Sequence, residues 1–216
     1  MTHILVIGAS RGIGEAVCRA AIARGHTVRA MSRSGQLREG LGGQCDAFAG
    51  DALDPATVQD ALDRVDVVVQ ALGVPLSLDL LTKPVTLFSE ATRVLLPAMK
   101  AAGVGKLVCI TGFGAGDSRQ SINVLQRLPF DLVMKRAYDD KTIQEGLIES
   151  SDLDWLIVRP GVLTSAPASG KYRVLTKPNE WRNGIVARAD VADFITKRIE
   201  AGELGCEKPV VIRLPL

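Results

Sequence analysis

The sequence predicts an α/β protein in which one doubly wound parallel sheet is covered by helices on both faces, three layers in a single domain. Three observations carry this. Apolar runs with little alternation, ILVI at 4–7, DVVVQA at 66–71 and KLVCIT at 106–111, suit strands buried on both faces of a parallel sheet. Helical stretches alternate with these runs, which favours right-handed crossovers within one sheet over separate domains. A chain of 216 residues, 47% hydrophobic and 23% charged, is long enough to bury one such core.

The organising stretch is Ile4 to Gly14, ILVIGASRGIG, a strand that runs into three glycines and then into a helix read over Glu15 to Arg24. Gly8 can take a backbone conformation closed to other residues, Gly12 leaves room for a pyrophosphate, and Gly14 lets helix and strand pack closely. Ser10, Arg11 and Ile13 complete the same cradle. The helix then offers unpaired amides and its positive dipole end to a phosphate. The spacing Gly-x-x-x-Gly-x-Gly departs from the usual dinucleotide fingerprint, but the strand before it and the helix after it supply the expected context.

GASRGIG resembles the cofactor loop of the short-chain dehydrogenase/reductase superfamily. Later segments, the Ser-Arg exit at 32–33, GDALD, KLVCITGFGAGDS, LDWLIVRPG and ARADVADFI, resemble its atypical branch of small NAD(P)H-binding proteins, the NmrA-like and biliverdin-reductase-B-like group. The resemblance implies a Rossmann-type domain over 1–216; within it about Gly161 to Ala189 is the only material left to shape a substrate pocket, so a small or shallowly bound substrate is expected.

The second strand, His26 to Met31, decides the cofactor. No acidic residue stands between Glu15 and Glu39 to hold ribose hydroxyls; the strand exits instead through Ser32, Arg33 and Ser34. A guanidinium flanked by hydroxyls suits a phosphate ester, with Arg11 adding charge, so NADP(H) is favoured over NAD(H). Asp46 to Ala49 is a short third strand, and Asp54-Pro55 opens a helix to Asp63. Asp51, with Ala52 beside it, lies at the cofactor edge; the resemblance puts the aspartate beside the adenine, while Asp54 reads as a helix cap.

The fourth strand exits through Ala71, Leu72 and Gly73, where the main chain can pass close to a ribose. Val74 to Pro84 reads as an apolar loop, Phe88 to Ala102 as a helix stopped by Gly103, and Lys106 to Thr111 as the fifth strand. From Gly112 to about Lys135 the chain reads as irregular and is expected to form one wall of a substrate site, a short helix around Ile122 to Arg127 being the alternative. Ala137 to Glu149 is an amphipathic helix and Asp154 to Arg159 the sixth strand. Its exit resembles the segment that lines the nicotinamide, so Pro160, Gly161 and Val162 are assigned to the cofactor, main-chain groups facing the carboxamide. Lys171 to Leu175 reads as a small extra strand, Asp190 to Glu200 as a helix that Arg188 and Asp190 cap, and Pro209 to Arg213 as a strand completing an edge.

A net charge of +2 gives no general attraction to nucleic acid or membrane, and the apolar runs are too short for a membrane span. A first strand starting near residue 3 leads to the expectation of a cytoplasmic protein, with Cys18, Cys45, Cys109 and Cys206 as reduced thiols and no metal site. A monomer or homodimer acting on a small molecule is expected.

The chemistry is less regular. Hydride transfer to a carbonyl needs a proton donor near the carbonyl oxygen. His3 and His26 begin strands one and two, at the far end of the sheet, and read as surface residues. The superfamily uses a serine after strand five and a Tyr-x-x-x-Lys pair, whose lysine binds the nicotinamide ribose and lowers the tyrosine pKa. In KRAYDDK, Lys141 matches that lysine, but Ala137 occupies the tyrosine position and Tyr138 is one residue late. Gly112 stands at the serine position, with Thr111 one place early. Lys141, Tyr138 and Thr111 are the catalytic candidates, and Ser118 a weaker hydroxyl. Two functions follow: an NADPH-dependent reductase of a small conjugated acceptor, or a non-catalytic NADPH-binding sensor that signals to a protein partner.

Overall fold

The apolar runs form the inner strands, and the structure, a computed structural model, places the strands in one large sheet and one small one. It describes residues 1–38, 40–41, 43–75, 84–122 and 124–215, with the backbone alone for 124–133 and 215. The strands are β1 His3–Ile7, β2 Thr27–Ser32, β3 Asp46–Ala49, β4 Val67–Gln70, β5 Lys106–Ile110, β6 Asp154–Pro160, β7 Val162–Thr164, β8 Arg173–Leu175, β9 Gly184–Ala187, β10 Val210–Ile212 and β11 Leu214–Pro215. Helices described are α1 Gly12–Ala23, α2 Pro55–Ala61, α3 Leu87–Ala102, α4 Val124–Glu149 and α5 Arg188–Ala201.

The large sheet has the order β3-β2-β1-β4-β5-β6-β10-β8, parallel except for β8, which runs antiparallel to β10. The order reverses between β1 and β4, so a crevice opens at their C-terminal ends. Alternate residues serve opposite faces. Ile4, Val6, Val28, Val69, Val108 and Val158 pack under α1 and α5, whereas Leu5, Ile7, Val68, Leu107 and Ile157 pack under α2, α3 and α4. No helix among the described residues is long and apolar enough to cross a membrane. The four cysteines are free thiols.

Several expectations are corrected. The stretch after Thr111 is not irregular to Lys135: a 3-10 turn over Gly116–Ser121 leads into α4, which starts at Val124. Pro129 within its second turn and a weak apolar stripe conceal that start, and packing on α3 overrides them. The C-terminal strand β10 lies inside the sheet, because β8 pairs outside it. The region 161–189 also contributes β7 and β9 to the small sheet, β11-β9-β7. The His26 side chain is 6% exposed, packed 3.4 Å from Glu200. Residues 76–83 of the apolar loop lie outside the described residues.

Candidate active site

The glycine turn joins β1 to α1 at the switch point. The amides of Gly8 and Ala9 donate to the Met31 carbonyl of β2, which pins the turn, and Ala71 donates to Ile7. Gly8 has φ +92°, and a side chain there would stand 2.7 Å from the Ala71 carbonyl. A Cβ on Gly14 would lie 2.2 Å from the Gly8 carbonyl, so strand and helix meet at main-chain distance. Gly12, at φ +66°, is different: a Cβ there would meet only the Arg188 side chain, at 3.9 Å, and the space above it is open. Arg11 is the N-cap of α1 and supplies no capping hydrogen bond, which leaves first-turn amides of Gly12, Ile13 and Gly14 without intrahelical acceptors.

Beside the turn, an open cavity of about 420 Å³ is lined by Ser10, Ser32, Arg33 and Ser34. Ser32 Oγ is buried there without a hydrogen-bond partner among the described residues. An orphan hydroxyl, an exposed guanidinium and a row of unpaired amides fit the phosphates of a dinucleotide. Asp51, at the neighbouring edge, accepts from the Leu53 amide and stays exposed, while Ala52 is buried. Asp54 accepts from the amides of Ala56 and Thr57 and caps α2.

At the C-terminal end of β5, Thr111, Tyr138 and Lys141 are brought together, but their polar atoms are engaged. Thr111 Oγ1 donates to Glu145 at 2.6 Å. Lys141, 8% exposed, donates to the carbonyls of Thr111 at 2.9 Å and Ile110 at 3.3 Å and lies 4.3 Å above the Phe88 ring. Burial lowers its pKa to about 8, against the raising influence of Cys109, Glu145 and Asp140. Burial, with the Glu145 charge, pushes the Tyr138 phenol up to about 12, the reverse of the lowering that the resemblance implies. A Cβ at Gly112 would meet the Tyr138 oxygen at 2.5 Å, so the residue at the family's serine position is small because the tyrosine occupies that space. Tyr138 packs with Leu72, Val74, Val85, Phe88 and Met134 in an apolar wall. Ser118, fully buried, donates to Ala115 and accepts from Gly114, and so serves the loop.

Sequence reasoning missed the polar centre beneath that loop. Glu145 on α4 receives Arg159 Nη2 at 2.6 Å and Nε at 3.1 Å, and both residues are buried. Arg159 also pairs with Asp117 at 2.6 Å and stacks 5.0 Å from the Trp181 ring centre. The available signal was the arginine of RPG on β6 together with a glutamate one helical turn after Lys141 on α4.

Within the protein the Pro160 carbonyl accepts from Phe113 and the Gly161 amide donates to Val211, which ties the exit of β6 to the chain after β5 and to β10. Gly161 is small because a Cβ would stand 2.1 Å from the Gly184 carbonyl, and Val162 is exposed. Arg188 and Asp190 do not cap α5, whose N-cap is Ala187. Asp190, fully buried, receives the amides of Ser169 and Gly170 and the Ser169 hydroxyl; Arg188 reaches Ser165.

A parallel sheet whose order reverses beside a glycine turn and an uncapped helix defines a Rossmann-type protein. The chain belongs to the NAD(P)H-binding family, whose model matches residues 8–201. ChuY from E. coli CFT073 is similar over 99% of this chain and 97% of its own, at 26% identity and a TM-score of 0.81. ChuY from Escherichia coli O157:H7, an anaerobillin reductase, is similar over 98% of this chain and 97% of its own, again at 26% identity and a TM-score of 0.81. A short-chain dehydrogenase/reductase from Veillonella parvula in complex with NADP shares the fold at 14% identity and a TM-score of 0.77, covering 98% of this chain and 94% of its own.

Proposed function

We propose that this protein is an NADPH-dependent reductase of a small, planar, conjugated acceptor. The observation that carries the reading is the apolar wall of Leu72, Val74, Val85, Phe88 and Tyr138 standing at the same sheet edge as the glycine turn. When bound, the nicotinamide supplies a hydride. Gly8 to Gly14 cradle the diphosphate, and Arg33 with Ser10, Ser32 and Ser34 receives the phosphate on the adenosine ribose. The wall gives the acceptor an apolar face on which to stack.

The protein's hydroxyls are poor acids: Thr111 is committed to Glu145 and the Tyr138 proton is held too tightly. The acceptor's own delocalisation therefore carries the developing negative charge, and water delivers the proton that completes reduction of one double bond. The anaerobillin reductase activity of one structural neighbour supports a reductase of this kind.

The test is NADPH oxidation by purified protein across a panel of flavins, quinones and aldehydes. Turnover on conjugated members alone is expected; tight NADPH binding with no oxidation across the panel would favour the sensor. Arg33→Ala should weaken NADPH by about 10-fold or more and leave NADH nearly unchanged. An equal loss for both would remove the basis for NADP preference.

A further inference from the structure

Arg188 begins α5, where the helix dipole presents its positive end and a cation is least favoured. Its side chain is nevertheless half-buried, and its one polar partner among the described residues is neutral, the Ser165 hydroxyl at 3.2 Å. The guanidinium Nε lies 3.9 Å from where a Cβ on Gly12 would stand, directly across the mouth of the glycine turn. That turn opens α1, which lacks a side-chain cap. A cation and the uncapped N-terminus of α1 thus face one open space, an arrangement that repels itself until an anion enters.

The surroundings hold the arginine there. Asp190, two residues further along α5, is fully buried and grips Ser169 and Gly170, which anchors the segment a few residues beyond Ser165. Elsewhere on α1 and β2 the arginines are matched to acids: Arg19 to Glu15 at 3.0 Å, Arg24 to Asp193 at 2.6 Å and Arg29 to Asp46 at 2.6 Å.

We propose that Arg188 is a diphosphate clamp that closes over the glycine turn from the opposite helix. The proposal rests on the dinucleotide reading above and divides its recognition in two. Arg188 reads the diphosphate common to both coenzymes, and Arg33 reads the ribose phosphate that only one carries. Loss of Arg188 therefore lowers affinity without changing coenzyme preference.

Calorimetric titration of the full chain with ADP-ribose, which has the diphosphate, and 2′-AMP, which has only the ribose phosphate, separates the two. Arg188→Gln should weaken ADP-ribose, NADH and NADPH by a similar factor, about 10- to 100-fold, and leave 2′-AMP unchanged. Retained 2′-AMP binding also certifies that the variant is folded, and Arg188→Lys should recover part of the loss. Wild-type binding of ADP-ribose that Arg188→Gln leaves intact would overturn the clamp alone. Failure of the wild type to bind either coenzyme would overturn the dinucleotide reading and the clamp with it.

Discussion

At the glycine-turn half of the crevice, Arg33 and Arg11 stand exposed, and among the described residues Arg188 has a single neutral partner and Ser32 Oγ has none. At the β5–α4 half, Thr111, Lys141, Glu145 and Arg159 are buried and joined by hydrogen bonds and an ion pair. The helices repeat the contrast: Asp54 caps α2, while nothing on the side chain of Arg11 caps α1. Uncompensated positive charge weakens a fold, so its concentration at one place marks where a ligand completes the electrostatics. The other half uses its charges to hold the 112–121 loop against β6, which leaves little acid for chemistry.

The largest effect should come from the closed half. Glu145→Ala strands the buried Arg159 and removes the acceptor of Thr111; we expect a loss of about 3 kcal/mol in urea unfolding, since Asp117 still meets one guanidinium nitrogen. A loss under about 1 kcal/mol would erase the distinction between the halves.

Lys141 gives the next effect, read through pH. Its folded pKa of about 8 lies below the ordinary lysine value, so between about pH 8 and pH 10 the unfolded chain binds more protons than the native one. Stability conferred by this site therefore rises with pH across that window and is lowest below it. Cys18 and Cys109, whose thiols burial raises to about 12, act in the opposite sense above about pH 9, so the readout is the difference between wild type and Lys141→Met. That difference should grow in favour of the wild type by about 3 kcal/mol in all. A flat difference would mean that the ammonium is as well solvated as a surface lysine.

How much of this was legible in the sequence follows from range. The apolar runs, the glycine spacing and the Asp54-Pro55 start of α2 are local, and they placed the strands of the parallel sheet and the helix boundaries around the turn within a few residues. The start of α4 was hidden because its helix is held by packing on α3 in spite of Pro129. The Arg159–Glu145 pair and the Ser169–Asp190 tie join residues 14 and 21 positions apart, and no periodicity announces such contacts. Main-chain accounting was equally invisible: that Pro160 meets Phe113 and Gly161 meets Val211 emerges only when the chain after β5 and β10 are in place.

The smallest stability effect belongs to the open half, and it discriminates best. Arg33→Gln should change the unfolding free energy of the ligand-free protein by less than about 0.5 kcal/mol, because the side chain is exposed and has no acid partner among the described residues. With NADPH present the two proteins should part. At a concentration 100 times its dissociation constant, a ligand adds about 2.7 kcal/mol to the native state, and a variant that binds 10-fold more weakly gains about 1.4 kcal/mol at that same concentration. With NADH the gains should be equal. A charge that costs nothing when removed from the empty protein, yet is missed as soon as one coenzyme arrives, is held for that coenzyme; a large loss without ligand would instead make Arg33 part of the scaffold, and the two halves would no longer differ in kind.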